Sequence, residues 1–127
     1  MKLTCLSLFL LLHVLFLPAA DTIDHISELF SRGNVPEITK LFPENVDMGI
    51  LAEVDTYPKA QAVQQLQKFF AQNKPISVKV LHKVTSSAAF NLGVISLTTD
   101  KGTYRVSLTL KDNRGVMQLV EVRVEKQ

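Results

Sequence analysis

Few side chains in this sequence have the chemistry of an active site, and their spacing decides what they could do. His82 stands in an alternating run with Ile76, Val78, Val80 and Val84, whose even positions share one face of an extended strand. An imidazole on an apolar face could act as a general base tuned by burial. The same position suits a histidine at the edge of a core, satisfied by a backbone carbonyl. Tyr104 shares the even face of a second run with Val106, Leu108 and Leu110. Ser96 and Thr98, even positions of the preceding run, would give that wall the polar end expected at the mouth of a pocket for a small apolar ligand. Tyr104 also reads as a core tyrosine with its hydroxyl at the rim. Gln118, among Val116, Val120, Val122 and Val124, needs hydrogen-bond partners once buried, and a ligand is one of them. Asp47, Glu53 and Asp55 form an acidic cluster in which burial could raise a pKa and create a base, although solvated loop positions explain them more simply.

These groups do useful work together only if the strands bring them close. The even faces enter one core if the hairpin loops hold odd numbers of residues, because a slip of one residue turns a strand inside out. Asp100 to Gly102 suits a three-residue loop, Ser86 to Ala88 another, and Lys111 to Gly115 a five-residue loop that sets Arg105 opposite Glu121. On this register Thr98, Tyr104 and Val122 form one row, and His82, Leu92 and Leu110 another. His82 and Tyr104 are then about 20 Å apart, too far for a dyad. The opposite face presents Ile95, Leu97, Met117 and Leu119 as an apolar patch, the expected site of a covering segment or a homodimer interface.

The preceding chain reads as helical. Ile23, Ile26, Leu29 and Phe30 have helical spacing, with Thr22 as N-cap and Gly33 as terminator. Asn34 to Glu37 has capping-box spacing for a short second helix stopped by Pro43. Val46 to Val54 reads as a strand or hairpin broken by Asp55 to Pro58. A third helix then buries Ala62, Val63, Leu66, Phe69 and Phe70 and exposes Gln61, Gln64, Gln65, Lys68 and Gln72. Helices gathered on one face of a curved, mainly antiparallel sheet make an α+β domain.

Residues 1–20 read as a cleaved export signal: Lys2, an apolar run from Leu6 to Leu17, then Pro18-Ala19-Ala20. The run is shorter than the about 20 residues of a membrane span, so no stable membrane anchor is expected. The functional domain is then residues 21–127, soluble in the periplasm or secreted. Cleavage removes Cys5, the one cysteine of the chain, and with it any disulfide or thiolate site. His25 and His82 are too isolated for a metal site, and no motif calls for a cofactor. Without Lys2 the chain has 13 basic and 12 acidic residues, scattered in both signs, which argues against nucleic-acid binding.

This order of elements resembles the nuclear transport factor 2-like superfamily, whose members form a cone with a pocket between helices and sheet. More closely, the chain resembles a family of exported bacterial proteins called domain of unknown function 4783. The resemblance rests on Gly33-Asn34, Leu41-Phe42, Tyr57, Lys59 to Ala62, Phe69-Phe70, Asn73, Pro75, His82, Gly93, Gly102 to Val106, Leu119, Arg123 and Glu125. It implies the cone fold and leaves activity open, because the superfamily includes isomerases, dehydratases and modules without chemistry. Three readings follow: a non-enzymatic ligand-binding or interaction module, a cofactor-free isomerase or hydro-lyase using His82 or an acid, and a structural homodimer with a filled cone.

Overall fold

The computed structural model describes residues 20–87 and 89–127. The expected export signal therefore lies outside the described residues apart from Ala20. The elements are α1 (Ala20–Ser31), α2 (Val35–Thr39), β1 (Asn45–Ile50), β2 (Glu53–Pro58), α3 (Lys59–Gln72), β3 (Pro75–Ser87), β4 (Phe90–Thr99), β5 (Gly102–Asn113) and β6 (Val116–Lys126). Strand order is β2-β1-β6-β5-β4-β3. All neighbours are antiparallel except β1 and β6, which makes the sheet mixed, and the α+β class holds.

Local chemistry explains the helix boundaries. Gly33 (φ 60°) ends α1, with its N–H donating to Phe30 O at 3.1 Å and that of Asn34 to Leu29 O at 3.0 Å. This pair of bonds is a Schellman closure, which needs a left-handed residue between them. The Asn34 side chain then accepts the Glu37 N–H at 3.3 Å and caps α2. Two boundaries differ from expectation. Thr22 lies inside α1, and the expected break at Asp55 to Pro58 is strand, because those residues pair with Met48 to Asn45.

The helices cover one face of the sheet. Ile23, Ile26 and Phe30 of α1, Ile38 of α2 and Leu66 and Phe69 of α3 are buried against it. Helix α1 approaches β4 so closely that a Cβ at Gly93 would stand 2.7 Å from Ile23 Cδ1 and 2.8 Å from its Cγ2.

Strand parity is only partly as expected. The inward face of β5 is Tyr104, Val106, Leu108 and Leu110, and that of late β6 is Val122 and Val124, all even. On β4 the buried positions are odd: Asn91, Gly93, Ile95, Leu97 and Thr99. The cause is the hairpin loop, which holds two residues, since Thr99 pairs with Gly102. The Thr99 hydroxyl fastens it, donating to Gly102 O at 2.8 Å and accepting the Lys101 N–H at 3.1 Å. The β5–β6 loop is also two residues, Arg114 (φ 54°) and Gly115 (φ 84°). Consecutive positive φ values are the mark of a type I′ hairpin. That loop puts Leu119 inward, and an extra residue, Val120, between the Thr109–Glu121 and Leu110–Leu119 pairs restores even parity beyond it. Arg105 consequently faces Glu125, with Glu121 opposite Thr109.

Candidate functional site

The inside of the cone is packed with side chains. Tyr104 is 5% exposed, and its hydroxyl donates to Asn73 Oδ1 at 2.7 Å. Asn73 in turn donates through Nδ2 to Phe69 O at 3.0 Å, at the end of α3. The Tyr104 and Phe69 rings meet edge to face with centroids 5.2 Å apart, and Phe70 links Phe69 to Phe30 at 5.5 and 5.8 Å. Tyr104 therefore faces inward as expected, with its hydroxyl engaged by α3.

Its expected neighbours lie elsewhere. Ser96 and Thr98 are on the outer face, away from the helices, because the two-residue loop pairs Leu97 with Tyr104 and Thr98 with Thr103. Ser96 Oγ donates to Gln127 Oε1 at 2.9 Å. Gln118 also lies outward, opposite Lys111, and its Oε1 accepts from Asn113 Nδ2 at 3.2 Å. Conversely, Ile95, Leu97 and Leu119 are fully buried in the core and Met117 packs against it, so they form no outer patch.

His82 is corrected by a bulge. Val80 pairs with Ile95 but His82 pairs with Val94, which leaves Leu81 as an extra residue and turns the strand over. Val78 and Val80 face α1, whereas His82 and Val84 face outward, and His82 is exposed. Lys83 points to the helix side instead and meets Asp24 of α1 at 3.0 Å. The histidine-based mechanism in the cone thus loses its base. The acidic cluster is exposed as well: Asp47 accepts from the Thr56 hydroxyl at 2.6 Å, and Asp55 accepts the Thr56 N–H at 2.8 Å. Among the described residues no three histidine, cysteine or carboxylate side chains are grouped to hold a metal ion.

Three features were not anticipated. Asn91 is 1% exposed on the inward face, and neither its Oδ1 nor its Nδ2 has a hydrogen-bond partner. A cleft of about 260 Å³ separates α1 from β3, lined by Val78 and Val80 on one side and Asp24 and Glu28 on the other. A second, of about 210 Å³, opens between the β1–β2 turn and α3, with Ile50 and Phe69 in its lining and Glu53, Gln65, Lys68 and Gln72 around them. The spacing of Gln65, Lys68 and Gln72 on one helical stripe was the available signal for this cleft. Among the described residues no helix is long and apolar enough to cross a membrane.

Three helices on one face of a six-stranded mixed sheet give an α+β fold of the nuclear transport factor 2-like arrangement. Within it, the family model for a domain of unknown function, DUF4783, matches residues 23–125, and the chain belongs to that family. A DUF4783 protein from Bacteroides ovatus is 24% identical, with a TM-score of 0.76 over 80% of this chain and 92% of the other. One from Bacteroides fragilis is 22% identical, with a TM-score of 0.75 over 80% and 95%. A structure described as "Rd1NTF2_04 with long sheet" aligns at 17% identity and a TM-score of 0.67, over 84% of this chain and 98% of its own. No protein with a curated description matches the chain.

Proposed function

We propose that this chain is exported, loses residues 1–20, and acts as a non-enzymatic interaction module that presents the outer face of its sheet to a second copy of itself. The observation that carries this reading is the filled cone: Phe30, Leu66 and Tyr104 are each at most 5% exposed, and the Tyr104 hydroxyl is held by Asn73. A pocket for chemistry or for a ligand would leave such groups open toward a cavity.

Both sheet edges are also poorly suited to recruiting a strand. The β3 edge is interrupted by bulges at Ile76, Leu81 and Ser86 and carries Lys79 and Lys83. On β2, Asp55 occupies the Thr56 N–H and Pro58 has none to offer. Bulges, charges and proline are the usual defences against edge pairing. The outer face instead carries an apolar patch. Val84 is 51% exposed beside half-buried Leu92 and Val94, in the cross-strand pairs Val84–Leu92 and His82–Val94. Next to them, Arg105 faces Glu125 and Arg123 stands between Glu121 and Glu125 on β6. A face holding both charge signs beside an apolar patch can match a twofold copy of itself.

The test is sedimentation velocity of the processed protein, wild type and Leu92→Glu. A wild-type dimer that becomes a monomer in the variant, with the circular dichroism unchanged, supports the reading. A wild-type monomer, or a dimer indifferent to the substitution, refutes it. Export is tested by the intact mass of the protein recovered outside the cytoplasm of its host: loss of about the first twenty residues is expected, and an unprocessed chain contradicts it.

A further inference from the structure

The cleft between the β1–β2 turn and α3 lies on the helix side of the sheet, apart from the outer face. It combines features that neither a random surface nor a packing defect requires. Its floor is apolar, formed by Ile50 and the almost fully buried Phe69. Its walls hold one carboxylate, Glu53 on β2, and one ammonium, Lys68 on α3. Among the described residues neither group takes part in an ion pair. Gln65 and Gln72, on the same α3 stripe as Lys68, add two amides.

A second, independent feature is Leu51. It sits at the tip of the two-residue turn between Ile50 and Glu53 with φ 57° and is 49% exposed. A left-handed turn position favours glycine or asparagine, and an exposed tip favours a polar side chain. Leucine satisfies neither preference, yet it lines the cleft together with Ile50. Strain of this kind points toward a role beyond folding.

We propose that this cleft binds a free α-amino acid with an apolar side chain, as its zwitterion. The α-ammonium is received by Glu53, the α-carboxylate by Lys68 with a glutamine amide, and the side chain by Ile50, Leu51 and Phe69. A simple carboxylate would meet Lys68 but be repelled by Glu53, and a simple amine would meet the reverse, so the paired charges select a ligand that carries both. The volume, about 210 Å³, is below the roughly 300–1,000 Å³ of sites for drug-sized molecules and suits a ligand of amino-acid size. The cleft beside α1 lacks this chemistry, because Asp24 and Glu28 already face Lys83 at 3.0 Å and Arg32 at 3.5 Å.

The experiment is an amide-detected NMR titration of the processed protein with L-leucine, glycine, isovalerate and isoamylamine. L-leucine is expected to give saturable shifts at Leu51, Gln65, Phe69 and Gln72 with a Kd of about 1 mM or tighter. Glycine, isovalerate and isoamylamine are each expected to bind at least about tenfold more weakly. Glu53→Gln and Lys68→Met, both at exposed positions, are expected to weaken leucine about tenfold each without changing the melting temperature. Absence of saturable shifts with L-leucine overturns the proposal. So does equal binding of either single-charge analogue, or full affinity in either variant. The outer-face dimer is read by sedimentation and stands or falls separately.

Discussion

Replacing Tyr104 by phenylalanine removes one oxygen and nothing else from the packed cone. The ring stays against Phe69, so the apolar contribution is nearly unchanged. What is lost is the 2.7 Å bond to Asn73 Oδ1. Asn73 is 7% exposed, so its oxygen is left without a partner in a place where water does not easily replace one. An orphaned buried acceptor costs about 1–3 kcal/mol, and the retained Nδ2 bond to Phe69 O at 3.0 Å keeps Asn73 from swinging out to solvent. We therefore expect Tyr104→Phe to destabilise by about 1.5 kcal/mol. For a domain of this size that lowers the melting temperature by about 6–10 °C. The assay is urea unfolding followed by circular dichroism, together with Asn73→Ala and the double variant. The cycle is expected to show a coupling of about 1 kcal/mol between the two side chains. A neutral Tyr104→Phe, or additive effects, would mean that the hydroxyl is solvated at an open rim and that the cone is not closed by this contact.

Two further outcomes follow from the core. Gly93→Ala should destabilise by about 2–3 kcal/mol in thermal unfolding, because the new Cβ would lie 2.8 Å from Ile23 Cγ2 and a β-branched side chain in a helix has little rotamer freedom to yield; Ile23→Ala in the same chain should recover part of the loss. Asn91→Leu should stabilise by about 1–2 kcal/mol in the same assay, since it replaces an amide that is buried without partners by an apolar group of similar shape, and a destabilised variant would show that Asn91 has a bound partner in solution.

The helices were legible because their signals are local and redundant. Ile23, Ile26 and Phe30 repeat at helical spacing, and Gly33 and Asn34 close one helix and cap the next within a few residues. The sheet face of β5 was legible for the same reason, since Tyr104 to Leu110 alternate without interruption. The faces of β3, β4 and early β6 were not. Their orientation depends on integers that composition does not reveal: two residues rather than three in the Asp100–Lys101 loop, two rather than five in the Arg114–Gly115 loop, and single extra residues at Leu81 and Val120. Each changes the facing of every residue up to the next irregularity. That is why Ile95 and Leu97 exchanged places with Ser96 and Thr98, and why His82 left the cone while Val80, two residues earlier, remained in contact with α1. The long edge strand β3 concentrates three such bulges, and bulges at an edge hinder pairing with another strand. Of the cleft at Glu53 and Lys68 only one wall was legible, the α3 stripe of Gln65, Lys68 and Gln72; that the β1–β2 turn stands opposite it is a tertiary relation that this stripe does not reveal.

Buried side chains pack the inside of the cone, and the proposed function requires that this packing leave no ligand cavity. Methyl-detected NMR of the processed protein under dissolved xenon tests it most directly, because xenon enters apolar cavities that water leaves empty. A filled cone predicts no saturable shift at the methyl groups of Leu66, Val106 and Leu108, which are each 0% exposed. Saturable xenon shifts at those methyl groups would contradict it and restore a ligand cavity between the helices and the sheet.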